Sequence, residues 1–132
     1  MELWQKVWRE GLAPHLSSTG LESLRRALEK DDRQLMQGAT MSPPALDVFE
    51  NSAVEAACAL GYCGWKGEGL DKVGDLSDFF TNLCGSADEA LGEPGICRHF
   101  LHWFDETPRR LMRSQLLAEV NRVLTERRTA AA

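Results

Sequence analysis

Apolar residues recur three and four positions apart along most of this chain, the spacing that places side chains on one face of an α-helix. β-branched residues are sparse, and no stretch alternates apolar with polar residues as a half-buried strand does. The pattern therefore predicts an all-α protein, a compact single-domain bundle of about five to seven helices. We expect this domain to cover residues 1–128 and the alanine-rich residues 129–132 to form a disordered tail.

Individual helices are predicted from their apolar stripes and from residues that favour helix ends. A first helix is expected over residues 3–13, where tryptophan and leucine recur on one stripe. Thr19 and Glu22 form a capping box, so a second helix is expected to start there. Another box opens at Ser52 and predicts a helix over Ala53–Leu60. The side chains of that helix are small and apolar almost all round, which predicts that it is the most buried helix of the domain.

Glycine and proline mark the other boundaries. The segment Gly61–Gly69 contains four glycines in nine residues and is predicted to be a loop in the middle of the fold. Asp75 is expected to cap a short helix that Gly85 ends. The last helix is expected to restart at Pro108 and to run to about Arg127, with the longest amphipathic face in the chain.

The charges are distributed unevenly around a net charge of −5. Between Asp47 and Glu93 ten acidic residues accompany two lysines, whereas from Glu106 to Arg128 six arginines accompany three glutamates. The acidic middle argues against general affinity for nucleic acid, which rests on lysine and arginine neutralising phosphates. Any contact with RNA or DNA is expected only from the arginines near the C-terminus: Arg109, Arg110, Arg113, Arg122, Arg127 and Arg128.

The ends and the cysteines of the chain predict its compartment. The N-terminus lacks the basic region and apolar core of a secretory signal, and no apolar run approaches the roughly 20 residues of a membrane span. The sequence therefore predicts a cytoplasmic protein without membrane contact. A chain of this size can fold on its core alone, so in a reducing compartment its four cysteines are expected to be thiols: Cys58, Cys63, Cys84 and Cys97.

Candidate chemistry is sparse. A helix is also predicted from Pro94 to about Asp105. His99 and His102 lie about 60° apart on its polar flank, and Glu106 falls between them if the helix persists that far, so the three could share a metal ion. Their spacing departs from that of recognised zinc motifs, and two surface histidines beside carboxylates are the competing interpretation. Cys63 could be a nucleophile only if the fold supplied a histidine, and Lys66 lacks the sequence of a phosphate-binding loop. No cofactor is expected.

Two regions are predicted to bind another protein. Tyr62 and Trp65 either pack against the core or mark a partner site. When the last helix is viewed along its axis, Arg113 falls within the arc that its apolar side chains occupy. Its alkyl chain could follow the edge of the core, it could pair with an acidic residue such as Asp105, or it could belong to an exposed docking face. That face would comprise Arg109, Met112, Arg113 and Leu116.

Without a motif specific to any family, the helical class gives the leading expectation. Helical bundles that lack a cofactor signature most often work by presenting surfaces. The predicted function is a small adaptor, regulatory or accessory subunit that binds another protein or a second copy of itself, and catalysis is not expected. The alternatives are a metal-binding or thiol redox-sensing protein and an RNA- or DNA-contacting subunit of a larger assembly.

Overall fold

The chain begins with one continuous helical segment whose hydrogen-bond pattern changes twice. The structure, a computed structural model, describes residues 1–38 and 50–131. Helix α1 covers Leu3–Lys6, a π-helical stretch covers Val7–Leu12, and a 3-10 turn covers Ala13–His15. The predicted first helix is therefore confirmed in place, although most of it is not a regular α-helix.

Five further helices follow within the described residues and make the fold all-α, as predicted. No β-strand occurs in residues 1–38 and 50–131, which hold only two isolated backbone bridges. The helices are α2 (Ser18–Lys30), α3 (Ala59–Glu68), α4 (Val73–Leu91), α5 (Arg98–Glu106) and α6 (Arg109–Ala131).

Helix α2 starts two residues earlier than predicted. Ser17, in extended backbone, accepts a hydrogen bond at Oγ from the Gly20 N–H at 3.0 Å, so Ser17 rather than Thr19 is the cap. Glu22 does not reach back to a cap; its carboxylate binds the Arg25 guanidinium at 2.8 Å. Buried Leu16 fixes the chain immediately before the cap and so sets where the helix begins.

The prediction of a glycine-rich loop in the middle of the fold is wrong, because these residues form helix α3. Glycine weakens a helix by about 1 kcal/mol relative to alanine, and tertiary packing offsets that cost here. A side chain at Gly64 would lie 2.6 Å from Cδ1 of Phe79 on α4, and one at Gly67 would meet the backbone of Gly20 on α2. The missing side chains let α3 approach two helices closely. Gly69, at φ +74°, ends the helix.

The predicted helix over Ala53–Leu60 is also wrong in most of its length. Ala53 bridges to Lys72, and Ala57 bridges to Leu35. The backbone of this segment therefore pairs with two distant parts of the chain instead of with itself. Ala53 is exposed, and the helix that follows begins only at Ala59.

Helix α4 is longer than predicted, and helix α6 extends further towards the C-terminus than predicted. Lys72 rather than Asp75 is its N-cap, and the helix continues through Gly85, where an added side chain would meet nothing within 4 Å. It ends at Gly92, at φ +69°. Helix α6 reaches Ala131 and so includes residues 129–131 of the predicted disordered tail, where alanine is the best helix former.

The core is built on α2 and on an aromatic cluster. Helix α2 packs most extensively against α3 and then against α6, while the π-helical stretch packs on α4. Trp8, Phe100 and Phe104 are fully buried, and the Phe100 ring stacks on Trp8 at 5.5 Å between centroids. Within the described ranges, none of the helices has both the length and the apolar character needed to cross a lipid bilayer.

Candidate functional site

The face of α6 that the sequence predicts as a docking surface packs inside the protein. Met112 and Leu116 have no exposed surface. Arg113 is half-buried and donates from Nε to the Leu28 carbonyl oxygen at 2.8 Å and from Nη2 to that of Glu29 at 3.1 Å. These residues therefore join α6 to the end of α2, which corrects their assignment to an exposed docking face.

Arg109 binds the same end of α2. Its Nε donates to Oδ1 of Asp31 at 2.6 Å and its Nη2 donates to the Asp32 carbonyl oxygen at 3.0 Å. The hydrogen bond from Arg109 lowers the pKa of the Asp31 carboxyl, against the opposing effect of burial. Asp31 also lies 3.8 Å from Nε of Arg113, so Asp31, and not the suggested Asp105, is the carboxylate that Arg113 faces.

A second internal ion pair is not predicted from the sequence. Glu119 on α6 is 4% exposed and accepts two hydrogen bonds from Arg9, each 2.8 Å long. The guanidinium lowers the pKa of the Glu119 carboxyl, and Nε2 of Gln5 donates to it at 3.3 Å. A signal that could have found it is the position of Glu119 on the helix, where it projects within about 20° of Met112 at the edge of the apolar arc of α6.

The four cysteines carry no disulfide, as predicted. Interaction with the neighbouring Cys97 thiol, and then burial, raise the pKa of the Cys84 thiol, while the same interaction lowers that of Cys97. The Asp88 carboxylate fixes the turn before α5 by accepting from the N–H groups of Gly95 at 2.8 Å and Cys97 at 3.0 Å. Burial raises the pKa of the Cys63 thiol, which makes it a poor nucleophile.

The predicted metal residues line an open groove instead of a metal site. His99, His102 and Glu106 lie on α5, where they border a groove of about 550 Å³. Among the residues that the structure describes, no three His, Cys, Asp or Glu side chains are grouped so that they could hold a metal ion. The metal interpretation is therefore corrected in favour of surface histidines beside a carboxylate.

Several of the residues that line this groove are aromatic or aliphatic. Trp103 stacks on Trp4 with the ring centroids 3.5 Å apart and the planes 4° from parallel. Leu3 at the start of α1 and Leu111 on α6 are 46% and 49% exposed, and both line the groove. Glu2 borders it together with Glu106. We call this feature the N-terminal groove. It combines exposed leucines with carboxylates at its edge.

Tyr62 and Trp65 lie on α3, away from the N-terminal groove. Tyr62 is buried, and its hydroxyl donates to Oδ2 of Asp32 at 3.2 Å. Burial, then the Asp32 charge and this hydrogen bond, raise the pKa of Tyr62 to about 12. Half-buried Trp65 contacts the Tyr62 ring edge-on at 6.0 Å and carries the Lys66 ammonium 3.9 Å above its own ring. The packing interpretation of Tyr62 is thus correct.

Most of the C-terminal arginines donate to the protein itself. Arg109 and Arg113 donate to groups at the C-terminal end of α2. Arg127 donates to Ser18 Oγ at 3.0 Å and to the Ala13 carbonyl oxygen at 2.9 Å, and Arg122 pairs with Glu126 at 3.2 Å. Hydrogen bonds used internally are not available to phosphates, so these contacts disfavour the nucleic-acid alternative.

Comparison of the chain with protein families, curated proteins and solved structures finds no match.

Proposed function

We propose that this protein is a helical adaptor or accessory subunit that binds another protein through the N-terminal groove. The observation that carries the proposal is that exposed Leu3 and Leu111 line the same groove as the stacked Trp4 and Trp103. Exposed apolar residues in a groove mark interaction sites, and tryptophan is enriched among the residues that supply most of the affinity in protein interfaces. The groove replaces the α6 face as the candidate docking surface.

The charges at the edge of the groove define the chemistry of the occupant. Glu2 and Glu106 border it, and no lysine or arginine is among the described residues that line it. The protein as a whole carries a net charge of −5. An amphipathic segment with apolar side chains on one face and Lys or Arg beside them fits these features, because opposite charges at the rim steer association and orient the partner.

A selection from random peptides tests this proposal, because it requires no named partner. Peptides displayed on phage are selected on the protein, and the binders are expected to be amphipathic and basic. Leu111→Asp should lower the affinity of a selected peptide about tenfold or more, since it places a charge in the apolar part of the contact. Met36→Asp is the matched control, because Met36 is also exposed, at 38%, but does not line the groove.

Two results would contradict the proposal: peptides that bind both variants equally well, or selected sequences without basic residues. Analytical ultracentrifugation tests whether the groove instead binds a second copy of this chain. A dimer that Leu111→Asp converts to a monomer would show that the groove is filled by a second copy of this chain instead of by another protein.

The interaction between the free thiols of Cys84 and Cys97 favours a second candidate function, thiol redox sensing. Hydrogen peroxide would take two electrons and two protons from Cys84 and Cys97, leaving a disulfide and two water molecules. After mild peroxide treatment, thiol counting should show a loss of two thiols in the wild type and in Cys63→Ser. Cys84→Ser should form no disulfide. Pairing of any other two cysteines, as determined by peptide mapping, would contradict this function.

A further inference from the structure

A small cavity between α2 and α3 gathers three cationic side chains in an otherwise acidic protein. Its volume is about 200 Å³. Arg26 and Lys30 lie four residues apart and so share one face of α2, while Lys66 comes from α3. The cavity is also lined by Ser23, Asp32 and Tyr62. Two helices thus line one open pocket with three exposed cationic side chains.

None of the three cations forms an ion pair with a carboxylate of residues 1–38 and 50–131. In the part of the chain that the structure describes, no Asp or Glu oxygen lies within 4 Å of the charged groups of Arg26, Lys30 or Lys66. This contrasts with Arg109, Arg113 and Arg122 of α6, which bind carbonyl or carboxylate oxygens. The ammonium of Lys66 is instead held above the Trp65 ring at 3.9 Å, an interaction that places it without cancelling its charge.

The single carboxylate in the cavity already has partners. Oδ1 of Asp32 accepts from the Gln34 N–H at 2.9 Å, and Oδ2 accepts from the Tyr62 hydroxyl at 3.2 Å. Both carboxylate oxygens of Asp32 therefore already accept a hydrogen bond from a group other than the three cations. The Nη2 of Arg26 donates only a long hydrogen bond, 3.4 Å, to Ser23 Oγ. The cavity keeps an excess of positive charge and unused N–H donors.

We propose that this cavity binds a small phosphorylated anion, either inorganic phosphate or a phosphate monoester, through Arg26, Lys30 and Lys66. The planar fork of arginine matches two phosphate oxygens, and lysine supplies point charges beside them. The volume sets the size of the ligand: pockets for drug-sized molecules measure about 300 to 1,000 Å³, so this one suits a phosphoryl group with few further atoms. The inference does not depend on the N-terminal groove.

Calorimetric titration with inorganic phosphate and with glycerol 3-phosphate, at constant ionic strength set with chloride, tests the proposal. We expect saturable binding of at least one of the two to the wild type. Arg26→Gln and Lys66→Gln should each weaken it about tenfold or more, the effect of losing a charged hydrogen-bond donor. Lys6→Gln is the matched control, because it removes the same charge from a residue outside the cavity and should leave the affinity unchanged.

An NMR titration provides a second measurement that does not rely on the variants. Phosphate should shift the amide resonances of Ser23 and Ala27, which line the cavity, more than those of exposed residues on α6. The proposal is overturned if neither anion binds above the level of chloride, if Lys6→Gln weakens binding as much as Arg26→Gln does, or if the largest shifts lie outside the cavity.

Discussion

At the scale of single residues, the end of α2 shows how one helix is completed by side chains of another. The last carbonyl groups of any helix lack partners within that helix. Here Arg113 of α6 donates to the Leu28 and Glu29 carbonyls, while Arg109 binds Asp31, whose φ is +53° directly after the helix. Positive charge at this position is also favoured by the helix dipole.

Because of these contacts, Arg113→Gln should destabilise the folded protein. Removing a charged donor leaves partly buried carbonyls unsatisfied, and the free energy of unfolding should fall by about 1 to 3 kcal/mol. Arg110→Gln is the control, since the adjacent Arg110 is exposed. Urea denaturation of both variants measures the difference. Equal stability of the two variants would show that the Arg113 hydrogen bonds contribute nothing.

Tyr62 allows a direct test of its buried hydroxyl, because it is the only tyrosine in the chain. The absorbance change of tyrosinate formation should give a pKa of about 12 in the folded protein, against about 10 in the unfolded chain. Since the folded state holds the proton more tightly, stability should decline as the pH rises from about 10 to 12, by about 2 to 3 kcal/mol in total.

Tyr62→Phe is the control for this titration. Because this variant has no tyrosine hydroxyl, the decline in stability between about pH 10 and 12 should be absent from it. The comparison concerns the slope of stability against pH, because the substitution also removes the hydrogen bond to Asp32. A tyrosinate transition at the ordinary pKa in the folded protein would contradict the buried placement of the hydroxyl.

At the scale of elements, the glycines of α3 show why a helix can form where propensity opposes it. Gly64 lies under the Phe79 ring of α4 and Gly67 against Gly20 of α2. Each missing side chain lets two helix axes come closer and so increases the contact between neighbouring residues. Propensity spans only about 1 kcal/mol per residue, and packing of this kind routinely exceeds it.

Alanine substitutions at two helical glycines should therefore have opposite effects. In Gly67→Ala the new Cβ would lie 2.6 Å from the Gly20 backbone nitrogen, which cannot turn aside, so overpacking should cost about 1 to 3 kcal/mol. In Gly85→Ala the Cβ meets nothing within 4 Å, and the gain in helix propensity should stabilise by about 0.5 to 1 kcal/mol. Thermal melts measure the change in stability of both variants. If Gly67→Ala stabilised the protein, the close contact between α3 and α2 would be contradicted.

These elements also show which features can be predicted from sequence. The all-α class and the apolar arc of α6 follow from spacing alone, because a repeat of three and four positions is a local property. The helical state of Gly61–Gly69 and the internal role of Arg113 depend on residues far away in the chain. The same holds for the site: His99 and His102 stand out as a pair in the sequence, whereas the groove beside them is formed only when α1, α5 and α6 come together.

At the scale of the whole molecule, the two proposed surfaces have opposite electrostatic character. The N-terminal groove has carboxylates at its edge, and the cavity between α2 and α3 concentrates cations. They lie on different helices and recognise different chemistry. Substitution in one is therefore expected to leave binding at the other unchanged, since sites without shared partners usually behave additively.

The thiols provide a test of the fold as a whole, because their reactivity depends on the complete core. Cys63, Cys84 and Cys97 are buried, whereas Cys58 is half-buried at the start of α3, where its sulfur accepts from the Gly61 N–H. Titration of denatured, non-reduced protein with a thiol reagent should find all four thiols. In the native protein Cys58 should react first, and Cys63 should react only at the rate at which the core opens. Cys58→Ser should remove the fast phase and leave the slow one. Two thiols in the denatured protein would reveal a disulfide and contradict the structure, and equally fast reaction of Cys63 and Cys58 would show that α3 is not packed between α2 and α4.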